Sequence, residues 1–591
     1  MKEIKYIILI LFVSLILSSC DEYQFGDAAL ERPPTITVNI DTVFSRIEYA
    51  QRFLWGAYDD MHYGILTRRG DAQVSGAGND PLEALTDLAH AFDDNGGAMR
   101  LYYNGQYAAG TEEYPGKATI FNYITSNTWV GIRKCYIFLE NISRVPDAST
   151  EEIEMLKAEA RVLIAIFYSD MFRHLGSVPW IDHAYTPAED TYLPRLKARD
   201  MVDSIVNIID LAIPHLPWQV EDLSNWDGRL TKASAMGLKA RLLLFAASPL
   251  FNDDVPYLDG EAAQELMVWF GSKDPSLWDD AAQAAIELID AVEGNGAYSL
   301  VNTGDHRQDF QDAYYARGNG EVLISVRDRF KSGSRWSKSY YFYQASFNYG
   351  AGIPTHEYAE MFGMDNGLPI SDPASGYDPT DPFINRDPRL YETALVNGDS
   401  YQGRTAENWI GGRERTKFTT RKTKTGYGLR KFLLENNTAT SYNSIVHWPY
   451  LRMAEIYLSA AEALNEANSG PTAKAYEYVD HVRARVGLNG LPAGLSHLEF
   501  REAVLEERAK ELGYEEVRWF DLVRWKREED FTKKLHGIEI NLVPADSSFT
   551  YTIVDLPPRY WQENWSPKWY LSAFPPSEVF KDYGLVQNPG W

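Results

Sequence analysis

Apolar and polar residues alternate with the period of an α-helix along most of this chain. Within residues 505–525, apolar side chains recur at i, i+4 and i+7, which predicts an amphipathic helix that Gly513 ends through a positive φ. A second helix follows and is apolar on most sides. We therefore expect it to be buried, with Arg518, Asp521 and Arg524 either reaching water or finding partners. Helix, glycine turn and helix form the predicted repeating unit.

The same periodicity predicts helices elsewhere in the chain. They begin near Ile47 and continue over residues 127–142, 150–175, 199–216, 232–247, 278–288, 448–467 and 472–486. Thr231 is predicted to cap the 232–247 helix, and Gly176 is predicted to end the 150–175 helix. In the 448–467 helix the polar residues form one narrow stripe, made of Arg452, Glu455, Ser459, Glu462 and Glu466.

The middle third of the chain has a different pattern. Residues 321–327 predict a strand, and from there to about residue 445 the chain is rich in Gly, Pro, Tyr and Trp with short β-prone pieces. We therefore predict a mainly α fold: a single domain over residues 46–591, with paired helices like tetratricopeptide units. These helices occupy residues 46–300 and 446–591, and an irregular, loop-rich insertion with short strands occupies about 301–445.

The N-terminal sequence has the features of an export signal. Lys2 and Lys5 precede an apolar run that is too short to span a bilayer as a mature helix and suits a signal peptide over residues 1–19. The run closes at Cys20 in a sequence that resembles a bacterial lipobox, which implies a lipid on Cys20, with residues 20–45 as an extended tether. The alternative is a plain secretory signal with a chance cysteine. The other cysteine, Cys135, lies in a helical pattern and is predicted to be buried.

Composition excludes one class of partner and leaves catalysis without support. A net charge of −26 argues against nucleic acid. We find no GxSxG, HExxH, CxxC or twelve-residue calcium loop, and 83 acidic residues identify no catalytic pair, so the chain is predicted not to be an enzyme. No cofactor is predicted. Asp93, Asp94 and Asn95 offer oxygens suited to calcium, although a solvated turn explains them more simply.

Aromatic residues carry the sharper hypothesis of a sugar site. Trp and Tyr combine a flat apolar body with a polar tip, which matches the faces and edges of sugar rings. Two aromatic clusters lie in loop-like segments without helical spacing, and we predict that they bind glycan. They are Tyr102, Tyr103, Asn104 and Tyr107, and Arg335, Trp336, Tyr340, Tyr341 and Tyr343. The basic run 413–431 allows an acidic glycan, but a hairpin with solvated lysines is the simpler interpretation.

Several stretches together carry a family resemblance. They are AEARVLIAIFYSDMFRHLGSVPWI from Ala158, GRLTKASAMGLKARLLLFAASPLF from Gly228, YDPTDPFINRDPRL from Tyr377, LRMAEIYLSAAEALNE from Leu451, VRARVGL from Val482, residues 507–525, FPPSEV from Phe574 and the terminal QNPGW. Together they resemble one family, the SusD/RagB outer-membrane lipoproteins. The resemblance implies four tetratricopeptide-like helix pairs below a variable, loop-rich face that holds glycan.

The resemblance also implies a function and a location. Such a protein would be anchored by lipid at the cell surface of the outer membrane. It would capture an oligo- or polysaccharide and deliver it to a SusC-like TonB-dependent outer-membrane transporter. Two alternatives stay open: an outer-membrane glycan hydrolase or esterase, and a transporter lid without glycan affinity of its own. New reducing ends in a glycan digest would favour the hydrolase, and a glycan array without retention would favour the lid.

Overall fold

A computed structural model describes residues 39–65, 80–92, 98–113, 128–186, 188–189, 192–327, 350–415, 424–433 and 447–591. The helices are α1 Ile40–Val43, α2 Ile47–Tyr58, α3 Trp129–Asn141, α4 Thr150–Leu175, α5 Ala198–Ala212, α6 Leu223–Trp226, α7 Lys232–Ala247, α8 Glu261–Gln264, α9 Leu277–Asn295, α10 His306–Tyr315, α11 His356–Met361, α12 Pro388–Thr393, α13 Met453–Ala467, α14 Ala473–Arg485, α15 His497–Leu512, α16 Val517–Arg524, α17 Glu528–Thr532, α18 Trp561–Asn564 and α19 Pro576–Val579. The strands are β1 Ala89–His90, β2 Val322–Val326, β3 Ile353–Pro354, β4 Ala394–Leu395, β5 Ser400–Tyr401, β6 Arg404–Thr405, β7 Gly428–Leu429, β8 Trp448–Arg452, β9 His536–Val543 and β10 Ser548–Asp555. Short 3₁₀ or π turns occupy Leu82–Leu85, Met99–Tyr103, Ala109–Glu113, Ile142–Arg144, Ile213–His215 and Pro567–Tyr570.

The long helices pack one on the next, so the predicted mainly α scaffold with a strand-containing insertion is confirmed. Each long helix contacts the next in the order α2, α3, α4, α5, α7, α9 and α13, and α13 also contacts α14 and α15. Local chemistry sets the ends of these helices as predicted. Thr231 caps α7 in a capping box with Ser234, and Gly176 ends α4 at φ 74°.

The strands pair in antiparallel twos. Among the described residues, β9 and β10 form an eight-residue hairpin, and β2 pairs with β8 across more than a hundred residues of chain. The β2–β8 pair lies on α7, where a side chain at Gly237 would approach Leu323 and Leu451 to 2.9 Å. The strand predicted at 321–327 is confirmed as β2. The helix predicted at 448–467 is wrong in its first five residues, because they pair with β2 and leave Met453 to begin α13.

The start of the folded body lies earlier than predicted. Residues 40–45 were assigned to the tether, yet Ile40–Val43 form α1 and Phe44 packs between Phe53 and Phe138 in the core. Asn39 caps α1 by accepting the N–H of Thr42 at 2.8 Å. Residues 39–45 therefore belong to the body.

Gly513 is required for a reason other than the predicted one. Its φ is −57°, so it does not use the left-handed region, which Tyr514 and Glu516 occupy instead at 63° and 60°. A Cβ at position 513 would overlap the Tyr358 hydroxyl, which donates to the carbonyl oxygen of Ala509 at 2.9 Å. Close approach of α11 to α15 therefore dictates glycine here.

A network of buried ion pairs joins the insertion to the C-terminal helices. Arg452 at the end of β8 contacts Glu321 at 2.8 Å, Glu511 at 2.6 Å and Glu515 at 2.8 Å. We call the whole set the ionic core: Asp387, Arg389, Lys431, Glu321, Arg452, Arg483, Arg485, Glu507, Lys510, Glu511 and Glu515. Its cations come largely from the insertion and from α14 and β8. Two of its carboxylates, Glu507 and Glu511, come from α15, and Glu515 lies in the turn after that helix.

Buried ion pairs decide two expectations about charged residues. Of the two outcomes left open for Arg518, Asp521 and Arg524, the structure shows partners, which are Asp87, Arg508 and Glu462 respectively. Lys431, at the end of the basic run, is fully buried against Glu515 and is not a solvated lysine as the hairpin interpretation assumed.

Three further expectations concern anchoring, thiols and metals. Cys135 is buried as predicted. Within the described ranges, no helix is long and apolar enough to cross a membrane, and no group of three or more His, Cys, Asp or Glu is arranged to hold a metal. Cys20, Asp93, Asp94 and Asn95 lie outside the described residues.

Candidate functional site

The first predicted aromatic cluster lies in the core. Tyr102 is 1% exposed, and its ring stacks on that of Tyr107 with centroids 4.8 Å apart and an angle of 18° between planes. Tyr107 in turn contacts Trp569 and Trp591 at 5.6 and 5.2 Å. The expectation that these tyrosines offer an open face to sugar is therefore corrected, because aromatic residues from the C-terminus cover them.

Polar atoms of the same cluster are also engaged inside the protein. The Tyr103 hydroxyl donates to the carbonyl oxygen of Ala84, and the Tyr107 hydroxyl donates to Glu112 at 2.5 Å. Asn104 is exposed and accepts the N–H of Gln106 at 3.2 Å. Only Asn104 of this cluster reaches the surface.

The second predicted cluster, Arg335, Trp336, Tyr340, Tyr341 and Tyr343, lies outside the described residues. Its role in binding sugar stays a prediction.

A different pair of aromatic residues lines an open cavity of about 400 Å³. Trp55 comes from the last turn of α2 and Trp226 ends α6, with ring centroids 5.3 Å apart and planes at 39°. Trp226 is 37% exposed. The cavity is lined by Trp55, Tyr58, Asp59, Met61, Asn225, Trp226, Asp227, Gly228, Arg229, Ser325, Val326 and Arg327.

Local sequence places Trp226 at this cavity. Asp222 begins α6 by accepting the N–H groups of Ser224 and Asn225 at 3.2 and 3.3 Å. The helix lasts one turn, and Gly228 then reverses the chain at φ 90°, with its Cα so close to Arg327 that a Cβ would lie 3.2 Å from Nε. The tight turn holds the Trp226 side chain beside the end of β2.

A second cavity of about 380 Å³ adjoins the first. The two share Asp227, Gly228, Arg229, Ser325 and Arg327, and we call the two cavities together the cleft. The second cavity is further lined by Gln219, Val220, Glu221, Leu223, Ala297, Tyr298, Gly318, Asn319, Gly320, Val322, Leu323 and His447. Its wall is the edge of the β2–β8 pair and the turn before α7.

Asp227, in the shared wall, links Arg327, which lines both cavities, to Arg317, which lines neither. Its carboxylate accepts from Arg317 at 3.1 and 3.3 Å and from Arg327. Burial alone would raise the pKa of Asp227, but hydrogen bonds from Arg327 and Arg317 outweigh burial and lower that pKa. Asp227 is therefore ionised and bound to both guanidinium groups near neutral pH.

Arg229, which also lines both cavities, is paired with a carboxylate as well. Arg229 donates to Glu159, which is 1% exposed and also accepts from the Tyr58 hydroxyl at 2.6 Å. Burial raises the pKa of Glu159 by more than the charge and hydrogen bonds of Arg229 and the hydrogen bond from Tyr58 lower it, so this pKa lies above its usual value. His447 forms a hydrogen bond with Ser325 at 2.7 Å, and burial, together with the charge of Arg327, lowers the His447 pKa to about 3. His447 is therefore neutral near pH 7.

Chemically, the cleft combines indole faces with hydrogen-bonding edges. Its size falls within the range of roughly 300–1,000 Å³ typical of small-molecule sites. Sequence reasoning missed Trp55 because it sits within a helical period, and missed Trp226 because it stands alone. The short polar stretch SNWDGR between two predicted helices was the available signal.

Comparison with known proteins shows which fold this chain shares. Residues 322–591 match the model of the SusD family. SusD-like protein P2 of Formosa agariphila is 40% identical over 83 residues, which are 13% of this chain and 16% of that protein. This chain thus spans 16% and 14% of the length of the two curated relatives it matches.

Solved structures match over nearly the whole chain. A SusD-like protein from Bacteroides fragilis NCTC 9343 is 22% identical, with a TM-score of 0.72 over 93% of this chain and 98% of that one. A SusD-like carbohydrate binding protein from the same organism is 21% identical, with a TM-score of 0.67 over 91% and 99% of the two chains. At these identities the likeness establishes the fold.

Proposed function

We propose that this chain, which matches the SusD family over residues 322–591, is a glycan-binding protein that captures oligo- or polysaccharide in the cleft beside Trp55 and Trp226. The observation that carries the proposal is a tilted pair of indoles in an open cavity, with polar side chains around it. The description of a solved relative as carbohydrate binding supports it. The proposal involves no catalytic step.

The physical basis is the match between indole and sugar. The C–H face of a pyranose packs on an aromatic ring, while its hydroxyls point sideways to hydrogen-bonding groups. Asn225 and Asp59 stand beside the indoles in the same cavity and supply such groups. Trp226 is more exposed than Trp55. We therefore expect Trp226 to provide much of the contact area with the sugar.

Trp226→Ala tests the proposal. Truncating a central aromatic anchor typically costs about 2 kcal/mol or more, so we expect glycan affinity to fall at least roughly thirtyfold. The measurement is titration calorimetry with a glycan first selected on an array. Melting temperature should change little, because Trp226 is 37% exposed.

Tyr49→Ala is the matched control, since Tyr49 is 40% exposed on α2 but does not line the cleft. It should keep full affinity. Equal affinity in wild type and Trp226→Ala would remove the cleft from the proposal. Release of reducing ends from the glycan would point to the hydrolase alternative, and absence of retention on any glycan would point to a lid without affinity of its own.

We further propose that Cys20 carries lipid, that the protein sits on the outer face of the outer membrane, and that it hands glycan to a SusC-like TonB-dependent transporter. The lipobox-like sequence at Cys20 and the family resemblance support these steps. Cys20→Ala should release folded protein into the soluble fraction, because lipid burial is the expected anchor. A mutant that still fractionates with the outer membrane would mean that another attachment, such as the transporter, holds it.

A further inference from the structure

Among the described residues that line the cleft, carboxylates outnumber guanidinium groups: Asp59, Glu221 and Asp227 against Arg229 and Arg327. Arg317 and Arg327 both bind Asp227, whose side chain is only 10% exposed. Arg229 binds Glu159, which lies almost wholly inside. Each arginine in the described part of the cleft thus has a carboxylate partner already.

We propose that this cleft selects uncharged saccharides over uronates and sulfate esters. The inference rests on the proposed function and names its substrate class. An anionic sugar that bound Arg327 or Arg229 would draw that guanidinium group away from Asp227 or Glu159. Either step would weaken the pairing of a carboxylate that has little exposure to water, which is costly.

The remaining charged groups at the cleft point the same way. Asp59 lines the first cavity and Glu221 lines the second. Carboxylates accept hydrogen bonds and donate none when ionised, so they suit sugar hydroxyls. Placed beside a uronate or a sulfate they are like charges, and such juxtaposition opposes binding.

The direct experiment uses wild-type protein and matched saccharides. An array would carry neutral glucan, xylan, mannan and galactan oligosaccharides beside uronate and sulfate-ester counterparts of equal length. We expect the retained glycans to be neutral, with acidic counterparts bound at least roughly tenfold more weakly. Acidic glycans bound as tightly as neutral ones, or more tightly, would overturn the inference.

Asp227→Asn gives a second, independent test by removing the shared carboxylate. Arg327, which lines both cavities, and Arg317 would then both lose this carboxylate partner. The ratio of acidic to neutral affinity should rise by about tenfold, and the rise should shrink at high salt. An unchanged ratio in folded protein, checked by melting temperature, would count against the inference.

Asp210→Asn is the matched control, because it makes the same change at an exposed pair with Lys239 away from the cleft. It should leave the ratio as in wild type. The two proposals fail in different ways. If no glycan is retained, or retention does not depend on Trp226, the proposed function fails. If retention depends on Trp226 but favours acidic glycans, only the charge selection fails.

Discussion

Replacing Arg452 by methionine is expected to lower the free energy of unfolding by about 3–5 kcal/mol, because it removes one partner from a buried ionic network. Arg452 is almost fully buried and contacts Glu321, Glu511 and Glu515 at 2.6–2.8 Å. Methionine fills much of the volume but leaves these three carboxylates with fewer counter-charges in a site shielded from water. Denaturation by urea, followed by circular dichroism, measures the loss.

Arg52→Met provides the comparison. Arg52 pairs with Glu48 on the exposed face of α2, where both side chains are more than half exposed. Surface pairs of this kind contribute about 0–1 kcal/mol, so little change is expected. If Arg452→Met lost no more stability than Arg52→Met, the ionic core would not be what holds the insertion to the helices.

Tyr102→Ala is expected to cost about 3 kcal/mol or more of stability, as truncation of a buried aromatic side chain commonly does. Tyr102 stacks on Tyr107 and meets the edges of Trp561 and Trp569 at 6.2 and 6.1 Å. Alanine would leave a cavity between the N-terminal loop and the C-terminal tail. Melting temperature and glycan affinity should be measured on the same preparations.

The two readouts separate packing from binding. Tyr102→Ala should melt much earlier but retain glycan while folded, whereas Asn104→Ala, at an exposed position two residues on, should change stability by about 0.5 kcal/mol or less. Unchanged melting combined with lost retention in Tyr102→Ala would return these tyrosines to a sugar-binding role.

The parts of the fold that sequence predicts are those governed by local chemistry. Thr231 and Gly176 set helix ends through bonds within a few residues, so periodicity and capping were enough. Trp448 was assigned to a helix because nothing nearby reveals that its partner is Val326. The requirement for glycine at position 513 likewise comes from Tyr358, which is distant in sequence and therefore does not enter an analysis of local pattern.

The candidate site was harder to predict for a related reason. The spacing predicts loop at Tyr102 and Tyr107, and although Tyr102 lies in the short π turn Met99–Tyr103, Tyr107 does lie outside the helices and turns. The exposure of both is decided by Trp569 and Trp591 at the other end of the chain. The cleft was missed because its two aromatic residues lie far apart in the sequence. Trp55 and Trp226 meet only because α2 and the turn after α6 converge at the edge of β2.

The ionic core also constrains the order in which parts of the chain can fold during synthesis. Arg389, Lys431 and Arg452 leave the ribosome before three of the carboxylates that neutralise them, Glu507 and Glu511 of α15 and Glu515 in the turn after it. Until those carboxylates are available, burying Lys431 is unfavourable, and Arg389 and Arg452 have only Asp387 and Glu321 as partners. A fragment that stops before α15 therefore cannot complete the ionic core.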